Sequence, residues 1–294
     1  MSKTYLVTGA TGKTGKHTTR ILLEKGHKVR ALVHKEDARS QALAEAGAEI
    51  VVGDLTDHDA VISAVAGVNA AYLCYPIRPD LIDVTAYFAD AARRAKLELI
   101  VNMSQISARE VAKSHAARNH WVAERVLDWS GVPTAHIRPT FFSEWLTFPW
   151  VSNVIANEGV IELPYGEGRH APVTGEDQAR LIAAMLENPA EHAGKIYPLF
   201  GPVELSEAEI AARMSEVLGR KIGYRPATAE AYTARLKSFG LDDFIIQHFL
   251  CIAEDCRNGV FAGTNDIIEQ FTGTPPMTVE AFVEQNRAAF ETVA

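Results

Sequence analysis

Gly9, Gly12 and Gly15 stand three residues apart, between a β-branched run at Tyr5–Thr8 and an amphipathic stretch that continues to Glu24. A strand, a glycine turn and a helix opening, in that order, are what a dinucleotide diphosphate needs. Phosphate must come close to the backbone and meet the free N–H groups and positive dipole end of a helix. The glycine after the strand takes φ > 0, the middle one leaves room for phosphate, and the last lets the helix lie close against the sheet. Thr11, Lys13 and Thr14 fill the same turn and are candidate cofactor contacts with the three glycines. Gly12-Lys13-Thr14 also resembles the end of a triphosphate-binding loop. That loop needs a glycine five positions earlier, and Val7 stands there inside the strand, so ATP or GTP hydrolysis is rejected.

The end of the second strand bears on which dinucleotide is bound. A site selecting NAD carries an acid there to accept hydrogen bonds from the ribose hydroxyls. This chain has Val33-His34-Lys35, with Arg39 a turn later. Cations at that place attract a 2′-phosphate, which predicts NADP(H) in preference to NAD(H); a solvated basic loop has the same composition. Asp54 and Leu55 follow the third strand, where Asp54 suits an adenine contact and equally the cap of a helix beginning near Asp57. Tyr75 and Ser104 lie beyond the fourth and fifth strands and are further candidate contacts.

These residues are positioned by alternating elements. Strands are expected at Tyr5–Thr8, Val29–Val33, Glu49–Val52, Ala71–Cys74, Leu99–Met103 and Thr134–Arg138. Helices are expected at Lys16–Glu24, Ala38–Ala46, His58–Val65, Leu81–Ala95 and Arg118–Ser130. The alternation predicts an α/β fold with a Rossmann-type doubly wound parallel sheet, whose ligands bind beyond the carboxyl ends of the strands. Residues 1–138 would form this domain. Residues 139–294 would form a smaller α/β lobe for substrate, with helices near Glu176–Glu187, Glu207–Leu218 and Thr278–Thr292, of which 176–187 can return to the first domain.

The formal net charge is −8 over 294 residues with no basic run, which argues against a nucleic-acid surface. No apolar stretch is long enough to span a bilayer and no leader is evident, so a cytoplasmic protein without a membrane partner is expected. The three cysteines have neither disulfide nor zinc spacing, so no metal is expected; Cys74 reads as a small buried residue or a reactive thiol.

Val7-Thr-Gly-Ala-Thr-Gly-Lys-Thr-Gly15, Gly53-Asp-Leu55, and Glu124 through Arg138-Pro139 with Phe142-Ser-Glu144 resemble the NmrA-like branch of the atypical short-chain dehydrogenase/reductases. The resemblance implies either an NADPH-dependent reductase of quinones or dyes, or a non-catalytic NADP(H) sensor that binds a protein partner. Short-chain reductases place Tyr-x-x-x-Lys on one helical face. Aligned on Glu124 and Ser130-Gly131, those positions are Ala116 and His120, so the tyrosine acid is missing. His120 is then the one candidate catalytic group, as well as a ribose or nicotinamide contact; with Glu124 one turn on, it reads equally as an exposed helix pair. Hydride transfer to a small conjugated electron acceptor does not need the tyrosine, since such an acceptor spreads the charge it receives. Tyr75, Phe141, Phe142 and Trp145 are the candidate substrate contacts, and lobe packing accounts for the aromatics as well. The family's Asn after Phe-x-Glu is Trp145 here.

Overall fold

The computed structural model describes residues 2–291. Its first part runs β1 (Thr4–Val7), α1 (Gly15–Glu24), β2 (Lys28–Val33), α2 (Ala38–Glu45), β3 (Glu49–Val52), α3 (His58–Val65), β4 (Ala70–Leu73), α4 (Leu81–Ala95), β5 (Ile100–Met103), α5 (His115–Ser130) and β6 (Thr134–Pro139). The remainder runs α6 (Pro149–Glu158), β7 (Val160–Leu163), β8 (Arg169–His170), α7 (Gly175–Glu187), α8 (Pro189–His192), β9 (Ile196–Leu199), β10 (Leu205–Ser206), α9 (Glu207–Leu218), β11 (Gly223–Pro226), α10 (Ala229–Ser238), α11 (Asp243–Arg257), α12 (Ile267–Thr272) and α13 (Val279–Gln285).

Seven parallel strands form the main sheet in the order β3-β2-β1-β4-β5-β6-β9. The reversal beside β1 opens a crevice above the carboxyl ends of β1 and β4, the place where doubly wound sheets take ligands. Period-two alternation divides the buried side chains between two layers. Tyr5 and Val7 pack with Leu22 of α1 and with Leu181 and Met185 of α7. Leu6 points the other way, toward Val61 of α3 and Phe88 of α4. The expected Rossmann-type sheet is therefore present.

A single boundary at 139 does not describe the chain. β9 is the seventh strand of the main sheet, α7 lies against α1, and α12 packs on α7 and β9. The apolar faces of these later elements complete the layer that α1 alone leaves open. The lobe is built from α6, α9, α10, α11 and α13 with two small sheets, β7 beside β11 and β8 beside β10. The expected helix at 278–292 ends at Gln285 and is followed by a 3-10 turn at Arg287–Phe290; residue 292 lies outside the described residues.

Helix α5 begins three residues before the expected Arg118 because Ser114 caps it, its hydroxyl oxygen accepting from the Ala117 N–H at 3.1 Å. One helical turn beyond His120 on α5, Glu124 has no exposed surface. Its carboxylate takes the Arg138 guanidinium through two nitrogens and the Ser104 hydroxyl proton at 2.6 Å. One side chain thus joins the end of β5, the middle of α5 and the end of β6. Replacing Glu124 by Ala leaves a largely buried guanidinium unpaired, and the unfolding free energy measured in urea should fall by on the order of 3 kcal/mol. A loss below about 1 kcal/mol would mean that the carboxylate is not what holds these elements together.

Candidate functional site

The turn between β1 and α1 is shaped by its glycines. Gly9 has φ +58°, and the Gly12 N–H donates to the Gly9 carbonyl at 2.9 Å. A Cβ on Gly15 would collide with that same carbonyl, so no other residue lets the helix start so close to the strand. From the other side, a Cβ on Gly175 would lie 2.7 Å from the Lys13 carbonyl oxygen, so the N-terminus of α7 presses against the turn. The backbone N–H groups of Thr11, Lys13 and Thr14 have no partner among the described residues, and Thr14 makes no side-chain cap. No acid stands in the first turn of α1. Free donors, a dipole end and exposed glycines form a cradle that fits a dinucleotide diphosphate.

Beside the cradle lies a cavity of about 620 Å³, lined by Gly9, Thr11, His34, Asp54, Leu55 and Tyr75 among others. Its charges are mixed. His34 is exposed, with Nδ1 3.4 Å from the Asp54 carboxylate. Asp54 accepts from the Thr56 N–H and hydroxyl, which hold its carboxyl below the ordinary range. It does not cap α3: Asp57 does, accepting from the N–H groups of Asp59 and Ala60. That part of the expectation for Asp54 is corrected, since the helix starts one residue after Asp57. Arg39 is drawn back onto Asp37 by two hydrogen bonds, at 3.0 and 2.6 Å, leaving His34 and the exposed Lys35 as the basic groups at the end of β2.

The first cavity shares Tyr75 and Pro76 with a second of about 210 Å³. Ser104, His120, Thr140, Phe142, Trp145 and His248 line the second one. His120 is 6% exposed and Glu124 is fully buried, so the reading of an exposed helix pair is corrected. Nor do they hydrogen-bond, because the Glu124 carboxylate is occupied by Arg138 and Ser104. Burial lowers the His120 pKa to about 4. It lowers that of His248, on α11, to about 3, with the neighbouring His120 adding to the shift. Tyr75 is raised to about 12, first by burial and then by Asp80.

Phe141 is the candidate substrate contact that the structure removes from the groove. It is 2% exposed and stacks on Tyr165 and Phe261 inside the lobe, so it backs the wall that Phe142 and Trp145 line. Cys74 differs: it packs against Gly9, is only partly covered and lines the first cavity, and its thiol pKa is raised by desolvation. His248 escaped the sequence reading, and Glu144 entered it only as part of a motif with no role. His248 comes from a helix with no motif, and only its lone place on the buried face of α11 marks it. Glu144 accepts from the Gly175 N–H at 2.9 Å, and burial pushes its carboxyl up.

A model described as the NmrA-like family matches residues 1–267. The NAD(P)H azoreductase of Xenophilus azovorans is 28% identical to the chain, over 97% of the chain and 98% of the relative. Quinone oxidoreductase 2 of Escherichia coli is 28% identical over 81% of the chain and 82% of the relative. Among solved structures, the NADPH-dependent quinone oxidoreductase of Escherichia coli in complex with NADPH superposes with a TM-score of 0.84 at 24% identity, over 96% of this chain and 99% of that one.

The burial of His120 has a measurable cost in acid. Its pKa is 6.5 when unfolded and about 4 when folded, so between those values the unfolded chain binds a proton that the native chain refuses. Stability therefore rises with pH through this window and is lost as pH falls from 6.5 toward 4. In urea melts across the window, His120→Gln should lessen the slope by up to about 1.4 kcal/mol per pH unit. Parallel slopes for the two proteins would show that His120 is protonated as readily in the folded state.

Proposed function

The chain belongs to the NmrA-like family, and on that premise we propose that it is an NADPH-dependent oxidoreductase that reduces a small conjugated acceptor such as a quinone or an azo compound. One observation carries the choice of acceptor. The cavity next to the cofactor groove is lined by no carboxylate, ammonium or guanidinium, and its titratable groups, His120, His248 and Tyr75, have pKa values of about 4, about 3 and about 12. All three are neutral near pH 7, so none is poised as a general acid or base. Two of the relatives that match over most of the chain are named for an azo compound and for a quinone, which supports the same acceptor class.

When bound, the dihydronicotinamide supplies a hydride with its two electrons. The residues of the chain do the rest. The free N–H groups of Thr11, Lys13 and Thr14 hold the diphosphate, with the dipole of α1 behind them. His34 and Lys35 take the 2′-phosphate, and Asp54 with Leu55 borders the adenine. Tyr75 and Ser104 line the groove where it passes toward the nicotinamide, and His120 packs against that end from α5. Phe142 and Trp145, whose rings stack at 6.1 Å, give a flat acceptor an apolar face. The same walls limit water around the reacting atoms.

Purified protein should oxidise NADPH with at least one quinone or azo dye and leave unactivated ketones almost untouched. With His120, His248 and Tyr75 of the acceptor cavity all neutral, kcat should stay flat within about twofold from roughly pH 5.5 to 9. A bell-shaped profile inside that range would place an essential acid or base in the site. Tight NADPH binding without turnover of any acceptor would point instead to a cofactor sensor. Replacing both His34 and Lys35 by Ala should weaken NADPH at least about tenfold more than NADH, read by calorimetry, because only NADPH carries the extra phosphate. Equal losses would mean that the end of β2 does not read that phosphate.

A further inference from the structure

His248 is tied to the chain on one side only. Its Nδ1 lies 2.8 Å from the Ser114 hydroxyl, and both residues are 1% exposed. The Ser114 oxygen already accepts the Ala117 N–H as the cap of α5. Its own proton has one acceptor within reach, the Nδ1 of His248. Were Nδ1 instead the donor, that buried hydroxyl proton would have no acceptor. The imidazole is therefore held as the Nε2–H tautomer. Nε2 has no partner among the described residues, while the ring lines the 210 Å³ cavity with Tyr75, Phe142 and Trp145. Helix α11 is clamped at this place: Gln247 accepts from the His115 N–H at 3.1 Å and donates to the Lys113 carbonyl at 3.0 Å, and Arg109 grips Asp255 through both nitrogens. The ring is thereby fixed against the start of α5.

We propose that His248 donates its Nε2–H to the heteroatom of the acceptor, a quinone oxygen or an azo nitrogen, and so supplies a hydrogen-bond donor that Ala116 cannot. The inference rests on the reductase reading given above. As the C–H bond of the dihydronicotinamide breaks, its electron pair forms the new bond to the acceptor, and negative charge develops on the heteroatom. The nicotinamide is oxidised and the acceptor reduced; a proton from water then completes the product. His248 keeps its own proton and stabilises the developing charge, as a neutral imidazole can when its pKa is too low for protonation. Its low pKa follows from burial and from the adjacent His120.

The test compares two variants on one quinone, with NADPH affinity measured in each. His248→Gln restores an N–H donor near the same place, whereas His248→Phe keeps a flat ring without one. The Phe variant should lose kcat roughly tenfold to a hundredfold with NADPH affinity unchanged. The Gln variant should stay within about threefold of the unmodified protein. Equal losses in both, or no loss in Phe, would overturn the proposal. Nitrogen-15 spectra of the histidine rings in the unmodified protein provide a check that needs no variant to fold: Nε2 should be the protonated nitrogen, and the opposite tautomer would overturn the proposal. Absence of turnover in the unmodified protein would overturn the reductase reading itself, a different result from turnover insensitive to position 248.

Discussion

A carboxylate sealed from water holds the working end of this sheet together. Buried in full, the Glu124 carboxylate has Arg138 and Ser104 as its hydrogen-bond donors, and it in turn fixes the orientation of both. The result is a rigid corner joining β5, α5 and β6. His120, one turn earlier on α5, inherits its position from that corner and has no hydrogen-bond partner of its own among the described residues. Resemblance to a Tyr-x-x-x-Lys helix suggests that α5 is a carrier of acid-base groups. Here it serves as a strut, and its ionisable residue beneath the groove is spent on architecture.

The lobe takes over the part of the groove that α5 leaves bare. Docking of α11 on the start of α5 is strongly polar: Arg109 pairs with Asp255, Lys113 with Glu254, and Ser114 with His248. The exposed Lys113–Glu254 pair adds little stability. The Arg109–Asp255 pair is bidentate and its carboxylate is 10% exposed, so it specifies the angle at which α11 meets the loop after β5. Small residues at the start of α5, Ala116 and Ala117, are both buried and allow this close approach. A tyrosine at 116 would need the volume that the lobe now uses.

Local chemistry explains what the sequence made legible. Strands announced themselves by β-branched runs, and the diphosphate turn by glycines whose steric demand is visible in the collision a Gly15 Cβ would make with Gly9. The start of α5 was missed because Ser114 is separated from the apolar period by His115, and a cap reads clearly only beside that period. Phe141 and Phe142 were inseparable in the sequence, since adjacent residues in an extended segment face opposite ways and nothing local says which way is in. His248 was illegible for a deeper reason. Its meaning comes from Ser114, 134 residues away, and from a helix docking that no spacing encodes. The later chain's return through β9 and α12 was hidden likewise, because each segment is ordinary until the open edge of β6 and the bare face of α7 are known.

The two ends of the groove obey opposite electrostatic rules. At the adenine end, charges are abundant and mutually engaged: Asp54 faces His34, Arg39 folds back on Asp37, and Arg78 lies against Asp80. On the proposed reading, discrimination there falls to His34 and Lys35 against an acidic background that includes Asp54, Asp80 and Asp83, and such exposed groups are screened by salt. At the acceptor end, burial keeps imidazoles and phenol neutral across the physiological range. A neutral site stabilises developing charge only through dipoles that are already oriented, and it offers little to a reaction whose product anion is strongly basic. A simple ketone yields such an anion; an extended π-system spreads the charge and leaves each heteroatom weakly basic. On the proposed reading, selection among acceptors follows from what the second cavity lacks: its imidazoles and phenol are held neutral, and the electronic demand of the reaction is left to be met by the acceptor.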